Sequence, residues 1–377
     1  MDIMKTTILH YSKDKCNFIK TDNKDNATDK QSIRENNRKR EKKNSEVIEF
    51  DCPVYLIGRS SVVGQKEKQG PIGKYFEVVI KDEKYGQKNF EQAEIKLMET
   101  AINNAVSDAK LTINKIDIMI AGDLLNQLGV ANYAARNLQL PFLGLYSACS
   151  TMTESLIVAA TLICGGHVDT VVCAVSSHFA SAERQFRYPL EYGAQKPPYS
   201  QWTVTGGASM VLSNQPNKNA TINVKATKAM VGRVVDLGTN DISNMGAAMA
   251  PAFIDTLLRF FAKSNTSISD YDLVVSGDLG KLGSDIAIKL AGEKGIILNK
   301  NYIDCGSIIY SNDQNAYQGG SGPACSGIVI NSYIITKMLQ NEYKKVLYFA
   351  TGALMSPQSC FQGETIPCIS HAVLLEV

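Results

Sequence analysis

The stretch Leu143-Gly-Leu-Tyr-Ser-Ala-Cys149-Ser-Thr-Met-Thr-Glu-Ser155 places a cysteine between a predicted strand and a predicted helix. Residues 142–146 form a short apolar run that predicts a buried strand. Residues 150–164 carry apolar side chains at helical spacing, and Gly165-Gly166 can end that helix. Cys149 is therefore expected on a turn that leads from a strand into a helix.

Helix N-termini leave backbone N–H groups free, and Ser147, Ser150 and Thr151 are residue types that cap them. The helix dipole lowers the pKa of a thiol at this position and suits a nucleophilic Cys149. The same free N–H groups bind an anion without any chemistry. A catalytic thiol and an anion site are both open alternatives for this turn.

The composition argues against several classes of protein. The 377 residues carry a formal net charge of +2, which gives no reason to expect nucleic acid as a partner. The nine cysteines contain no C-x-x-C pair and no zinc spacing, so we expect no metal site and a reducing compartment. Cys164, Cys173 and Cys325 lie in apolar segments and are expected to be small buried hydrophobes. No uninterrupted apolar run predicts a membrane span.

Residues 1–46 mix charged residues with Asn and Ser and offer few side chains to bury. This composition predicts a disordered arm. The basic cluster at 38–43 either contacts an anionic membrane surface or is simply solvated, and we favour the second interpretation. The folded part is expected to begin near Val47.

Beyond this arm, short strands alternate with helices, which predicts parallel βαβ units. The predicted elements are strands at 54–57, 116–121 and 171–175, helices at 90–110 and 130–138, and a loop at 64–73. Asn89 is expected to cap the first of these helices.

The chain repeats itself after about residue 220, which predicts two related halves at 47–220 and 221–377. Four short matches occur in the same order in both halves, and this shared order argues for a duplication. Residues 116–125 match 271–280, residues 148–150 match 324–326, residues 171–176 match 347–352, and residues 207–213 resemble 370–376. The first match pairs Asp117 with Asp272 and Asp123 with Asp278.

Ligands of parallel sheets bind beyond the carboxyl ends of the strands. The duplication brings two such ends together, so the residues that follow these strands are expected to share one pocket between the halves. These residues are Asp123, Cys149 and Ser177 from the first half, and Asp278, Cys325 and Gly352 from the second.

A duplicated α/β chain with a cysteine on a strand-to-helix turn resembles the thiolase and ketoacyl synthase superfamily over residues 47–377. A more specific resemblance, to the stage V sporulation protein AD family, is carried by several motifs. These are Gly122-Asp-Leu-Leu-Asn-Gln127, Ala148-Cys-Ser-Thr151, Glu183-Arg-Gln-Phe-Arg-Tyr-Pro189, Glu191-Tyr-Gly193, Gln195-Lys-Pro197, Gly246-Ala-Ala-Met-Ala-Pro251 and Ile366-Pro-Cys-Ile369.

This resemblance implies an α/β fold of the layered αβαβα thiolase type, with two pseudo-symmetric halves and mostly parallel sheets. It implies dipicolinic acid, free or as its calcium chelate, as the ligand, and no cofactor. It further implies a protein that is made in the cytoplasm and lies on the inner membrane of the forespore. Its partners there would be other stage V sporulation membrane proteins, which take up calcium dipicolinate during sporulation and release it at germination. Thiolase-like proteins also commonly form homodimers.

Condensing enzymes of the superfamily pair the nucleophilic cysteine with two further groups, usually His with His or Asn, or His with a second Cys. Cys149 falls on the nucleophile position, whereas Asp278 and the segment 319–327 fall on partner positions and offer no histidine. Cys368 falls on the second-Cys position, with His371 close by. We therefore expect a non-catalytic protein with a vestigial Cys149. The alternative is an acyl-thioester condensing enzyme or acyltransferase that uses Cys149 and His371.

Dipicolinate is a flat pyridine with two carboxylates, so a site for it needs donors at both ends of a slot. The expected donors lie at the two pseudo-equivalent helix N-termini and on neighbouring loops. They are Ser150, Thr151, Asn126, Gln127, Ser177, Ser321, Gly322 and Cys325.

The acidic and histidine side chains of this region leave alternatives open. Asp123 and Asp278 would repel a bare dianion, and we favour a structural role in which they hold loop N–H groups. The alternative is that they accept a calcium ion brought by the ligand. His371 either lines the pocket or is a satisfied core histidine, whereas His178 is expected to make loop hydrogen bonds.

Overall fold

The computed structural model describes residues 46–186, 196–216 and 224–377. The disordered arm predicted at 1–46 lies outside the described residues except for its last residue. The family motif residues 187–195 and the seam predicted near residue 220 also lie outside the described residues.

The described ranges contain thirteen strands. They are β1 Val47–Val63, β2 Val78–Val79, β3 Ile118–Gly122, β4 Phe142–Gly144, β5 Thr170–Ser177, β6 Trp202–Thr203, β7 Gly206–Ser213, β8 Val224–Met230, β9 Leu273–Ser276, β10 Tyr302–Asp304, β11 Gly320–Ser321, β12 Lys345–Ala353 and β13 Cys368–Glu376.

The helices lie between these strands. They are α1 Gln65–Lys68, α2 Phe90–Asp108, α3 Gly129–Leu138, α4 Thr151–Cys164, α5 Phe179–Phe186, α6 Met245–Ser264, α7 Gly280–Glu293, α8 Cys305–Ile309, α9 Pro323–Val329, α10 Ile335–Leu339 and α11 Pro357–Phe361. A π-helical segment, Ile330–Ile334, joins α9 to α10, and a 3-10 turn, Ala148–Ser150, precedes α4.

Strand order confirms the duplication. The main sheet runs β10-β9-β12-β13-β8-β1-β7-β5-β3-β4, with β2 paired to β1. Read from each edge inwards, β4-β3-β5-β7-β1 of the first half corresponds to β10-β9-β12-β13-β8 of the second. The outer ladders of each half are parallel, whereas β7 and β13 run antiparallel to both neighbours. Antiparallel pairing is therefore more extensive than the resemblance implied, because the last strand of each half returns beside the one before it.

The helices form three layers separated by the two half-sheets. Helices α2 and α3 cover the outer face of the first half-sheet, and α6 and α7 cover the outer face of the second. Helix α4 lies between the half-sheets, because it contacts β1, β3 and β5 on one side and β12 and β13 on the other. This arrangement confirms the layered αβαβα thiolase-like fold.

A pair of aspartates repeats the same hydrogen bonds in both halves. Asp117 accepts from the backbone N–H groups of residues 169 and 170 at 2.8 and 2.9 Å. Asp272 accepts from the N–H groups of residues 344 and 345 at 2.7 and 2.9 Å. Each carboxylate joins the start of one strand to the start of its parallel neighbour in the sheet, β3 to β5 and β9 to β12. This part of the sequence match therefore preserves a structural function.

The predicted helices agree with α2, α3 and α4. The Asn89 side chain caps α2, because its Oδ1 accepts from the backbone N–H of Gln92 at 2.8 Å. Helix α4 ends at Gly165, as its sequence indicates. These boundaries depend on local periodicity and capping, which the sequence shows directly.

Two predicted strands and one predicted loop differ from the structure. The strand expected at 54–57 is the centre of the longer β1, which pairs with β8 along 47–56 and with β7 along 55–63. The loop expected at 64–73 contains α1. The strand expected to be buried at 142–146 is the edge strand β4, and Leu143 and Tyr146 are 41% and 43% exposed.

Cys164 does not behave as the isolated buried hydrophobe that its apolar segment predicts. Its sulfur is bonded to that of Cys52, and the two Cα atoms lie 5.4 Å apart. The bond links the C-terminal end of α4 to β1. Sequence spacing offered no sign of it, because the two cysteines are 112 residues apart.

Within the described ranges, α6 is the one helix whose length and composition would allow it to cross a membrane, although the sequence predicted no such span. Most of this helix is buried against β12, β13 and α7 in the second half. Core helices of globular proteins pass the same length and composition test.

The close packing of α6 on α7 gives a first prediction. A Cβ added to Gly246 would lie 2.3 Å from the carbonyl oxygen of Leu279, so a Gly246→Ala variant must separate the helices. We expect it to lose about 1–3 kcal/mol of unfolding free energy, measured by urea denaturation. The matched variant Gly292→Ala, also on a helix, meets nothing within 4 Å. It should be neutral or gain up to about 1 kcal/mol, and equal losses in both variants would contradict this packing.

Candidate functional site around Cys149

Cys149 lies on the 3-10 turn Ala148–Ser150, directly before α4. Its neighbour Ala148 adopts φ +49°, a left-handed conformation that is uncommon for a residue with a Cβ. The turn is held by contacts from β12, since a Cβ on Gly352 would lie 2.2 Å from the carbonyl oxygen of Ser147. The thiol is buried and points into a cavity between the halves.

The donors predicted at this helix N-terminus are already engaged within the turn. The Ser150 hydroxyl donates to the carbonyl oxygen of Ser147 at 2.7 Å, and the Ser150 N–H donates to the same oxygen at 3.0 Å. The Thr151 hydroxyl and N–H both donate to the carbonyl oxygen of Ala148. Ser150 and Thr151 therefore offer no free donors to an anion, and no side-chain cap of the predicted type forms.

A buried carboxylate from the second half, Asp278, lies behind the thiol. Its Oδ2 accepts from the Ser321 hydroxyl and the Gly322 N–H, both at 3.1 Å, and its Oδ1 accepts from the Thr351 hydroxyl at 2.8 Å. The Cys149 sulfur lies 3.8 Å from the Ser321 oxygen, and the thiol is close enough to this carboxylate to feel its charge. Asp278 thus holds a loop N–H group, as predicted, and joins the halves at Cys149.

Burial and the acidic neighbour keep the thiol protonated. Burial raises the pKa of Cys149 well above its usual value, and the charge of Asp278 raises it further. Burial also raises the pKa of Asp278 to about 7, although its hydrogen bonds oppose that shift. The helix dipole argument for a reactive thiolate is therefore outweighed by desolvation at this site.

His371 is a satisfied core histidine. Its Nδ1 accepts from the Gly232 N–H at 3.1 Å, so Nε2 carries the proton and lies 3.2 Å from the Ser147 hydroxyl. Burial lowers the pKa of His371 to about 4, which keeps the ring neutral. His371 does not line the Cys149 cavity. His178 makes the predicted loop hydrogen bond, to the carbonyl oxygen of Glu83 at 2.7 Å.

The cavity at Cys149 encloses about 50 Å³ and opens to solvent. Its walls are mostly apolar, with Leu124, Phe186 and Met355 among them. In the described part of the chain, the one formally charged residue that lines it is Glu183, whose carboxylate is paired with Lys196. None of the described Lys or Arg residues lines it.

Several predicted ligand-binding residues lie outside this cavity. Asn126 and Gln127 are exposed on the loop after β3. The Ser177 hydroxyl donates to the carbonyl oxygen of Val204 at 2.7 Å. The buried Cys325 thiol lies 3.8 Å from the carbonyl oxygen of Gly277, within the core between the half-sheets. Of the predicted set, Cys149 and Ser321 line the cavity directly.

Asp123 has the structural role that we favoured, in which its carboxylate holds backbone N–H groups of a loop. Its carboxylate accepts from the N–H groups of Leu125, Val130 and Ala131 at 2.7 to 3.1 Å, and so holds the start of α3. Its counterpart in the second half is Asp304, which accepts from the N–H groups of residues 279 and 280 at 2.9 Å. The sequence match of Asp123 with Asp278 therefore does not extend to function.

Sequence reasoning missed Gln201 and Thr203, which line the cavity from β6 and the residue before it. The Gln201 amide donates to the carbonyl oxygens of Asp278 and Gly320 at 2.6 and 2.8 Å, while its Oε1 is buried without a partner. The sequence did carry a signal for them, because Gln201-Trp202-Thr203 alternates polar and aromatic residues, as a strand with a polar face and an apolar face does.

Comparison with known proteins settles the family. The sequence profile of stage V sporulation protein AD (SpoVAD) matches residues 44–376. The chain belongs to the stage V sporulation protein AD family. The Bacillus subtilis (strain 168) stage V sporulation protein AD is 44% identical over 327 residues, which cover 87% of this chain and 95% of that protein. This SpoVAD family member therefore has a role in sporulation.

Solved structures of other proteins share the fold of this chain. OleA from Xanthomonas campestris superimposes with a TM-score of 0.57 at 13% identity, covering 88% of this chain and 99% of that one. The 3-oxoacyl-[acyl-carrier-protein] synthase III from Aquifex aeolicus VF5 gives 0.53 at 13% identity, covering 86% and 100%. At this identity the likeness confirms the thiolase-like fold alone.

The contact between Asp278 and the thiol predicts how Cys149 reacts. An Asp278→Asn variant removes the negative charge but keeps a group that can hydrogen-bond to Thr351 and Gly322. We expect the pKa of Cys149 to fall and its alkylation by iodoacetamide at about pH 8 to become several-fold faster. Peptide mapping by mass spectrometry measures the rate, with the half-buried Cys360 as internal control. An unchanged rate at Cys149 would contradict the assigned influence of Asp278.

Proposed function

We propose that this protein is a catalytically silent thiolase-like component of the spore inner-membrane complex that binds dipicolinic acid. In that role it takes part in the uptake of calcium dipicolinate during sporulation and in its release at germination. Membership of the SpoVAD family supports the setting. The observation that carries this proposal is the engagement of the Ser321 hydroxyl and the Gly322 N–H, which lie beside the buried Cys149 sulfur, by the carboxylate of Asp278.

An acyl-thioester enzyme needs a base for its nucleophile and donors for an oxyanion. The two donors beside the Cys149 sulfur, the Ser321 hydroxyl and the Gly322 N–H, both bind Asp278. His371, the base of the rival hypothesis, has both ring nitrogens engaged by other groups. These contacts favour ligand binding over catalysis.

The Cys149 cavity has the mostly apolar lining of a small-molecule site. Apolar walls suit the faces of a flat ring, and the hydroxyls of Tyr146, Thr203 and Ser321 lie among those walls. This lining supports a site for an aromatic ligand beside Cys149, although it uses a different set of polar groups from the one that the sequence suggested.

Charge favours the calcium chelate over the bare dianion as the bound form. A dianion in an apolar cavity without a neighbouring cation is strongly unfavourable, and no described Lys or Arg lines this one. The chelate is neutral, and the unpartnered Gln201 Oε1 and the hydroxyls can approach its cation side. No group of three or more acidic, His or Cys residues in the described ranges could hold a metal alone, so the calcium would arrive with the ligand.

Calorimetric titration of the full chain with dipicolinate, alone and as the preformed calcium chelate, tests this function. We expect saturable binding that is at least about tenfold tighter for the chelate, a difference of about 1.4 kcal/mol. Ala182 lines the cavity, so Ala182→Leu should fill it and weaken binding by a similar factor. Ala262→Leu, at an exposed position on α6, should bind like the unaltered protein. Absence of binding, combined with release of free coenzyme A from an acyl-thioester, would favour the enzyme.

We propose further that the protein is a homodimer joined along β4. This strand is the last in its sheet, and its second edge has no strand partner in the described chain. Exposed Leu143 and Tyr146 lie beside that edge, and unpaired edges of this kind readily pair with another chain.

A charge on β4 tests this assembly. We expect Leu143→Glu to shift the dimer towards monomer in analytical ultracentrifugation, because two carboxylates would meet across the edge. Ile297→Glu alters another exposed apolar side chain, in the second half, and should leave the sedimentation coefficient unchanged. A monomer in the unaltered protein would overturn the proposal.

The partners follow from the same family role. We propose that the protein is made in the cytoplasm and binds other stage V sporulation membrane proteins as a peripheral component at the inner spore membrane. Helix α6 is mostly buried, which is consistent with attachment through partners instead of insertion. Fractionation of forespores measures this location, and recovery in the soluble fraction alone would contradict it.

A further inference from the structure

A second cavity lies on the other side of β6 from the Cys149 cavity. Gln201 and Thr203 line the first cavity, whereas Trp202, between them in the sequence, lines the second. The second cavity has a volume of about 340 Å³, at the lower end of the range of small-molecule sites. Neither the catalytic positions of the superfamily nor the proposed dipicolinate site uses it.

The lining of this cavity is aromatic. Phe179 stacks on Trp202 with ring centroids 3.8 Å apart and planes within 4° of parallel. Phe90 lies against His178 with centroids 5.2 Å apart. All four rings line the cavity. Phe179 covers one face of Trp202 and Lys66 covers the other, so a flat ligand ring would meet the edges of this stack and the Phe90 ring.

Lys66 supplies a positive charge at the same place. Its ammonium group lies 4.0 Å from the Trp202 ring centroid and donates to the carbonyl oxygen of Gln314. It makes no ion pair with any described carboxylate, although it is partly buried. Burial accordingly lowers the pKa of Lys66. A carboxylate beside this ammonium group would gain a charge partner, and the flexible Lys66 stem allows the group to reach it.

The acidic and histidine groups of the cavity do not cancel this charge fully. Glu67 is buried, its Oε1 accepts from the Thr205 N–H at 3.0 Å, and its Oε2 has no partner. Burial raises the pKa of Glu67 to about 7, so below that pH it is a neutral acid. His178 is buried, and burial lowers its pKa. Glu83 is half exposed, so solvent screens its charge.

We propose that this cavity binds a flat aromatic carboxylate, with its ring against Phe90, Phe179 and Trp202 and its carboxylate on Lys66. The aromatic walls select the ring, and the unpaired ammonium group selects the negative charge. The proposal concerns a different cavity and a different charge balance from the site at Cys149, so it stands whether or not that site binds dipicolinate.

Trp202 is the only tryptophan of the chain, so its fluorescence reports on this cavity. The probes are benzene-1,3-dicarboxylate and dipicolinate, titrated without calcium into the full chain, with excitation selective for tryptophan. We expect saturable quenching by both probes. The variant Lys66→Met keeps the apolar stem and should raise the concentration for half-maximal quenching at least about tenfold.

The matched control is Lys96→Met. Lys96 also lies over an aromatic ring, 4.5 Å from the centroid of Tyr85, and also donates to a backbone carbonyl, but it does not line the cavity. The probes should quench the Trp202 fluorescence of Lys96→Met as they quench that of the unaltered protein. Absence of saturable quenching, or equal quenching in Lys66→Met and the unaltered protein, would overturn the inference.

The Ala182→Leu variant of the Cys149 cavity separates this inference from the proposed function. Ala182→Leu narrows the other cavity, so quenching by the calcium-free probes should persist in it. Quenching that is lost in Ala182→Leu but kept in Lys66→Met would assign the signal to the Cys149 cavity and overturn the second site. Calorimetric failure of the calcium chelate, with Lys66-dependent quenching intact, would overturn the proposed function alone.

Discussion

The buried carboxylate of Asp278 is the constraint on which the site depends. Moving a carboxylate out of water costs several kcal/mol unless donors replace the water, and the protein must supply those donors. Thr351 comes from β12, and Ser321 and Gly322 come from the segment before α9, while the Cys149 thiol of the other half lies beside them. Asp278 therefore fixes the contact between the halves beside the Cys149 cavity. The same bonds consume the donors that an oxyanion would need.

Duplication explains the architecture but not the chemistry. The two halves share strand order and the Asp117 and Asp272 clamps, because those features stabilise each half independently. The two halves must differ at the pocket. If both placed a carboxylate there after the equivalent strand, two negative charges would face each other in one buried space. The first half uses Asp123 to hold the start of α3, whereas the second gives that task to Asp304 and leaves Asp278 to face Cys149.

Strand β6 divides the space beside the site into two cavities of unlike character. On one side, Gln201 and Thr203 border an apolar cavity whose described lining has no cation. On the other, Trp202 borders an aromatic cavity with the ammonium group of Lys66 at its wall. A neutral ligand suits the first and an anion the second, because an unpaired charge needs a partner wherever water is excluded. The pairing of β6 with β11 connects both cavities to the segment that binds Asp278.

The sequence by itself determined the turn at Cys149, the helices around it and the duplication, because periodicity, caps and repeats are local properties of the chain. It also indicated that the expected catalytic histidine was missing. It did not determine the binding set: Asn126 and Gln127 face outwards, and the Ser150 donors are satisfied within their own turn. Only the tertiary structure decided the state of the thiol, because the partners of Asp278 lie 43 to 73 residues further along the chain. Whether a buried group is charged depends on the donors that surround it in space, and a linear sequence does not specify them.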